Sequence, residues 1–160
     1  MTASNLIISK TPHQVRLWVH PEGLVIGSLF LRQDDTEQVA QESAYEVINQ
    51  DSPFVVLKRE QPDEVRFYNR SSIIRVEYTA TGQDIDSQAT TLHCRLLMMD
   101  GSVLEGSINE VLPADQSRLY DYLNKSSVRF IRLFLNARDI CLVNKSYIIQ
   151  VSPLAAEHSE

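Results

Sequence analysis

Short stretches in which apolar and polar residues alternate dominate this chain. Val15, Leu17 and Val19 alternate with Arg16 and Trp18, a period of two that is typical of a half-buried strand. Similar stretches, bounded by turn residues, recur in both halves and predict five strands in each. The predicted strands cover residues 15–19, 24–31, 54–58, 65–68, 72–78, 93–99, 102–110, 128–135, 140–143 and 147–154.

Two segments have apolar residues at helical spacing instead, each between the second and third strand of its half. In the first, Asp35 to Asn49, Asp35 can cap the helix and Gln38 stands in the capping-box position. The second runs from a cap at Asp115 to Asn124. The predicted buried faces are Val39, Ala40, Ala44, Val47 and Ile48 in the first, and Leu119, Tyr122 and Leu123 in the second.

One eight-residue motif occurs twice, 75 positions apart. Residues 69–76 read NRSSIIRV and residues 144–151 read NKSYIIQV, so that Arg70 corresponds to Lys145. Gly27-Ser28 and Gly106-Ser107 form a second matching pair, and a glycine inside a strand indicates a bulge, a bend or a close backbone approach. Agreement along both halves predicts one module that is written twice.

The predicted organisation is two modules, at residues 14–78 and 92–154. Residues 79–91 are rich in Thr, Ser, Gln and Asp, which is typical of a linker. Residues 1–13 and 155–160 are predicted to be tails. The fold class predicted is mainly β with short inserted helices, or α+β.

The bulk composition fits a globular protein outside the membrane. The formal net charge of -6 gives no long-range attraction to nucleic acid or anionic lipid, and no apolar run is long enough to span a bilayer. The N-terminus lacks the pattern of a secretory signal. Cys94 and Cys141 have no spacing pattern, so we expect two reduced, buried thiols and a cytoplasmic protein.

Two stretches of the second half resemble the Sm-like family. Residues 100–108, DGSVLEGSI, resemble its first motif, and residues 143–148, VNKSYI, its second, in which a basic residue stands at the turn between the last two strands. Arg70 with Ile73 fits that second motif as Lys145 with Ile148 does. The resemblance implies two tandem five-stranded Sm-like or SH3-like barrels. The chain departs from the family in its helical insertions, and Ser71 and Ser146 replace the usual Gly or His beside the basic residue.

The basic residues of the repeated turn, Arg70 and Lys145, are the first candidate contacts. They either contact phosphate or an acidic partner, or they are solvated while the neighbouring Asn and Ser bond to their own backbone. A second candidate set alternates along one strand: Arg129, Phe130, Arg132 and Phe134. Arginine and aromatic residues together are typical of binding hot spots, and the alternative is an ordinary solvated face.

No catalytic, cofactor or metal motif stands out, and the four histidines have no ligand partner at a suitable spacing. We therefore predict a non-enzymatic interaction or assembly subunit with no cofactor and no metal. Its partner is expected to be a protein or a second copy of itself, with no membrane partner. The alternative is a regulator that binds RNA or nucleotides through the basic hairpin tips. A small enzyme with a site between the modules is a third hypothesis.

Overall fold

The computed structural model describes residues 9–33 and 42–155. Its regular structure is mainly antiparallel strand, with two short α-helices and several 3-10 turns. The mainly β class predicted from the alternation is therefore confirmed. The chain divides into two compact units between Ile73 and Ile74, and five residues separate this boundary from the segment predicted as the linker.

The described residues of unit 1, 9–33 and 42–73, form four strands and one helix. The strands pair in the order β1-β2-β3-β4, and each contact is antiparallel. The contact between β2 and β3 is short, since only Gly27 and Ser28 have partners in β3. The elements are β1 (Ser9–Val19), β2 (Gly23–Gln33), α1 (Ala44–Ile48), β3 (Phe54–Glu60) and β4 (Asp63–Asn69), followed by a 3-10 turn, Arg70–Ser72.

In unit 2, the part described up to residue 155 forms six strands and one helix, and the strands pair in the order β10-β6-β7-β8-β9-β5. A second 3-10 turn, Lys145–Tyr147, joins β9 to β10. The elements are β5 (Ile73–Thr79), β6 (Thr90–Met98), β7 (Val103–Glu110), α2 (Leu119–Lys125), β8 (Phe130–Phe134), β9 (Asp139–Asn144) and β10 (Ile148–Pro153).

The glycines inside β2 and β7 mark close backbone approaches, as their position in strands predicts. A Cβ on Gly27 would lie 2.5 Å from the carbonyl oxygen of Lys58. A Cβ on Gly106 would collide with the carbonyl oxygen of Phe134. Only glycine lets the two backbones come this near. In each unit, two strands therefore approach closely at the same position of the repeated sequence.

Several predicted boundaries are corrected. β1 starts at Ser9, inside the segment predicted as a tail. The described part of the first helix starts at Ala44, where the Ser43 hydroxyl accepts from the Glu46 N–H at 3.2 Å; the predicted cap and the residues of that prediction before position 42 lie outside the described residues. Asp115 lies in a 3-10 turn, Ala114–Gln116, and α2 begins only at Leu119.

Candidate interaction surface

The repeated motif forms the same turn in both units. The Asn69 side-chain oxygen accepts from the Ser71 N–H at 2.9 Å, and Asn144 accepts from the Ser146 N–H at 3.0 Å. Short polar side chains at turns commonly bond to the backbone two residues on. The Asn side chain therefore bonds to the backbone in both turns, as the structural interpretation predicts, and each serine takes part through its N–H.

Arg70 is buried, contrary to the expectation of a solvated tip; its side chain is among the largest that are fully buried in the chain. Its Nε donates to the carbonyl oxygen of Ile48 at 3.0 Å and its Nη2 donates to that of Val47 at 2.8 Å. These carbonyls end α1 and have no partner within the helix. Nη1 also donates to the carbonyl oxygen of Phe54 at 2.7 Å. Arg70 therefore links the end of α1 to the start of β3 by hydrogen bonds, and its N–H donors are directed toward the interior of unit 1.

Lys145 occupies the matching position and makes a weaker version of the same contact. Its Nζ donates to the carbonyl oxygen of Ser126, the residue that caps the C-terminus of α2, at 2.9 Å. The side chain is half-buried, and burial lowers the pKa of its ammonium. A single hydrogen bond from the Lys145 ammonium thus replaces the several bonds that the Arg70 guanidinium makes, and part of the Lys145 side chain is open to solvent.

The predicted surface of arginines and aromatics on β8 does not form, and this expectation is corrected. Phe130 and Phe134 are buried, together with Ile131 and Leu133, because both faces of β8 are covered. Arg129 is exposed, but its aromatic neighbours point into the core.

Arg132 belongs to an ion network inside unit 2. Its Nε and Nη2 donate to the two carboxylate oxygens of Glu110, both at 3.0 Å, a bidentate arrangement that favours strong pairing. Its Nη1 lies 3.3 Å from the buried carboxylate of Asp84, which also accepts from the Thr81 N–H at 2.9 Å. Arg132 therefore holds the segment before β6 against β7 and β8.

The two cysteines are buried, free thiols in β6 and β9, as expected. Burial raises the pKa of Cys94 to about 11 and raises that of Cys141 as well. Within residues 9–33 and 42–155, no group of three or more His, Cys, Asp or Glu is placed to hold a metal ion. The same part of the chain has no helix with the length and hydrophobicity needed to cross a membrane.

Among the residues of unit 1 that the structure describes, the largest group of exposed apolar side chains lies on the β3–β4 hairpin. Phe67 is 69% exposed and Phe54 is 54% exposed. Val56 stands directly opposite Phe67, and Val65 is two residues away on the same side of the strand. We call this group, Phe54, Val56, Val65 and Phe67, the apolar face. The other side of the hairpin carries the buried residues Val55, Leu57 and Tyr68.

The corresponding positions in unit 2 are covered. Phe130 stands where the repeat places Phe54, and Ile140 and Leu142 stand where it places Val65 and Phe67. All three are fully buried. The same positions of the repeat are therefore core in one unit and surface in the other.

β4 is also an edge strand. Among the described residues, it pairs with β3 on one side and has no strand on the other. Alternation alone does not reveal this surface: residues 64–67 alternate charged and apolar as a half-buried strand would, yet all four are exposed.

No protein-family model, curated protein or solved structure matches this chain. Its function is therefore inferred from the surfaces that its own residues build.

Proposed function

We propose that this protein is a non-enzymatic interaction or assembly subunit built from two Sm-like or SH3-like barrels, and that the apolar face binds its protein partner. The observation that carries the proposal is the cluster of four large apolar side chains on an edge hairpin. Contiguous exposed apolar surface of this kind typically marks an interaction site.

The repeated local geometry supports the proposal of two related barrels. Each half runs strand, strand, helix, strand, strand, 3-10 turn and strand. Each has a glycine at a close backbone approach and an asparagine that bonds across the turn. In each, a basic residue of that turn donates to a carbonyl oxygen at the C-terminal end of the inserted helix. This shared construction is what one module written twice would give.

The alternative, RNA or nucleotide binding through the basic hairpin tips, gains no support from the site. Arg70 is buried against carbonyl oxygens, and the Lys145 ammonium is engaged with Ser126. Arg132 is paired with two carboxylates. These three cations offer little charge to a phosphate, so protein binding remains the leading proposal.

The experiment compares Phe67→Ser with Ile85→Ser, a matched loss of an exposed apolar residue elsewhere in the chain. Mass in solution is measured by analytical ultracentrifugation, and partners are recovered from the native cell by affinity purification. We expect the wild-type chain to self-associate or to retain a defined partner. Phe67→Ser should lose this association and Ile85→Ser should keep it. A wild-type monomer that retains no specific partner would overturn the proposal.

A further inference from the structure

A cleft on the sheet of unit 2 has no role in the proposed function. Its volume is about 880 Å³, which lies within the range of about 300–1,000 Å³ that is usual for small-molecule sites. Its floor is built on three neighbouring strands. His93 of β6 stands directly opposite Ser107 of β7, and Ser107 stands directly opposite Phe134 of β8.

Two walls of the cleft are held in place by hydrogen bonds. The first wall is Ile85, which follows the buried Asp84 directly; the carboxylate of Asp84 lies 3.3 Å from Arg132 and fixes this segment. The second wall is Leu154 at the end of β10, whose N–H donates to the carbonyl oxygen of His93 at 2.9 Å.

The third wall is the turn between β8 and β9, which includes Leu135 and Asn136. The Leu135 N–H donates to the carbonyl oxygen of Asp139 at 2.9 Å. The Asn136 side-chain oxygen accepts from the N–H groups of Arg138 and Asp139, at 2.8 Å and 2.9 Å. All three walls are therefore fixed without a ligand, as is typical of small-molecule sites.

The charges of the lining favour an uncharged ligand. Arg95 is paired with Glu105: its Nη2 and Nε lie 2.7 Å and 3.0 Å from the same carboxylate oxygen. With His93 neutral, the lining carries no net formal charge. A phosphate or another ion would therefore have to displace an existing ion pair in order to bind.

The polar group that suits a ligand best is the carboxamide of Asn109, which lines the cleft two residues from Ser107 on the same side of β7. Its Oδ1 is buried and has no hydrogen-bond partner among the described residues. Buried polar atoms in native proteins nearly always have a partner. A carboxamide carries both a donor and an acceptor, so another amide is its natural complement.

The apolar part of the lining adds a second requirement. Ile85 is 67% exposed, and Leu135 and Leu154 are half-buried. Aliphatic side chains that border a cleft can gain free energy by covering an aliphatic group of a ligand.

We infer that this cleft binds a small, uncharged molecule that carries an amide beside a branched aliphatic group. The amide bonds to Asn109, whose carboxamide turns toward the ligand about its Cβ–Cγ bond, a torsion with broad minima. The aliphatic group packs against Ile85 and Leu154. The inference goes beyond the proposed function, because the apolar face belongs to unit 1 and this cleft to unit 2.

The test is a titration of the isotope-labelled full chain with N-acetyl-leucine amide, followed by two-dimensional NMR of the backbone amides. We expect saturable shifts at Ser107, Asn109 and Leu154. N-acetyl-glycine amide, which lacks the aliphatic group, should bind about tenfold more weakly or worse. Inorganic phosphate should produce no shift at these amides.

Three variants locate the ligand. Asn109→Leu should lose the binding, whereas Asn124→Leu, at an exposed asparagine of α2, should keep it. Ala137→Trp places a large side chain at an exposed position of the cleft and should block binding without altering the core. The NMR spectrum of each variant shows whether the chain is folded.

No saturable shift in the wild-type chain would overturn the inference. So would equal binding by folded Asn109→Leu and Ala137→Trp, or shifts from phosphate at the same amides. Phe67→Ser, which tests the proposed function, should leave this titration unchanged, so that each proposal can fail while the other stands.

Discussion

The Arg70 guanidinium, in the 3-10 turn that follows β4, donates to the carbonyl oxygen of Ile48, the last residue of α1. The distance from Nε to this oxygen is 3.0 Å. A positive charge at a helix C-terminus offsets the partial negative charge of the last carbonyls. The contact shows that the basic residue of the first repeated turn stabilises the C-terminal end of α1.

Replacement of Arg70 should destabilise unit 1. Arg70→Met leaves the carbonyl oxygens of Val47, Ile48 and Phe54 without these donors, and we expect a loss of about 3 kcal/mol in the free energy of unfolding. Urea denaturation followed by circular dichroism measures it. Arg66→Met, at a largely exposed arginine in β4, is the control and should change stability by at most about 0.5 kcal/mol. Equal effects of the two variants would refute the structural role of Arg70.

The two strand glycines should tolerate no side chain. Gly27→Ala and Gly106→Ala each push a methyl group into a backbone carbonyl, and we expect each to cost about 2 kcal/mol or more. Gly82→Ala is the control, since a Cβ there meets nothing within 4 Å. Thermal unfolding of the three variants checks this, and a neutral Gly27→Ala would show that β2 and β3 do not approach closely in solution.

Single-stranded RNA should not bind through the basic turns. True phosphate contacts weaken steeply as salt rises, so fluorescence anisotropy at low and moderate salt distinguishes them from background. We expect no salt-sensitive binding, and no difference between the wild-type chain and Lys145→Ala. Tight binding at low salt that Lys145→Ala abolishes would restore the RNA alternative.

Asp100 should make stability depend on pH in the acid range. Burial opposes its ionised form, but the Ser102 hydroxyl and N–H bond to its carboxylate, at 2.5 Å and 3.0 Å, and Arg75 lies nearby, so its pKa is lowered. A lowered folded-state pKa adds stability above the unfolded pKa of about 3.9, and this stability is lost as pH falls through the folded value.

The check is the difference in unfolding free energy between the wild-type chain and Asp100→Asn. It should be largest near neutral pH and should shrink as the solution is acidified below about pH 4. Asp63→Asn, at an exposed carboxylate in β4, supplies the control. A difference that grows on acidification would show that the bonds of Asp100 favour its protonated form.

The sequence predicts the strands well because alternation is a local property. It also locates Gly27 and Gly106, since a glycine inside a strand has few structural explanations. It fails at Arg70, because a basic residue at a turn looks solvated unless the path of α1 is known. It fails likewise for Phe130 and Phe67. Both are aromatic residues in strands with alternating apolar and polar positions. Phe130 is buried and Phe67 is exposed because other elements pack over the first and not over the second, which the local sequence does not reveal.

Pro153 gives the outer edge of β10 a safeguard. The Leu154 N–H bonds to the carbonyl oxygen of His93 in β6, so the backbone of the preceding residue, Pro153, faces away from β6. A proline has no N–H, so the edge lacks at this position one of the donors that an added strand would use. Natural proteins place proline on edge strands to prevent unlimited sheet growth. The edge of β10 is therefore an incomplete template for the continuous backbone ladder of an amyloid fibre.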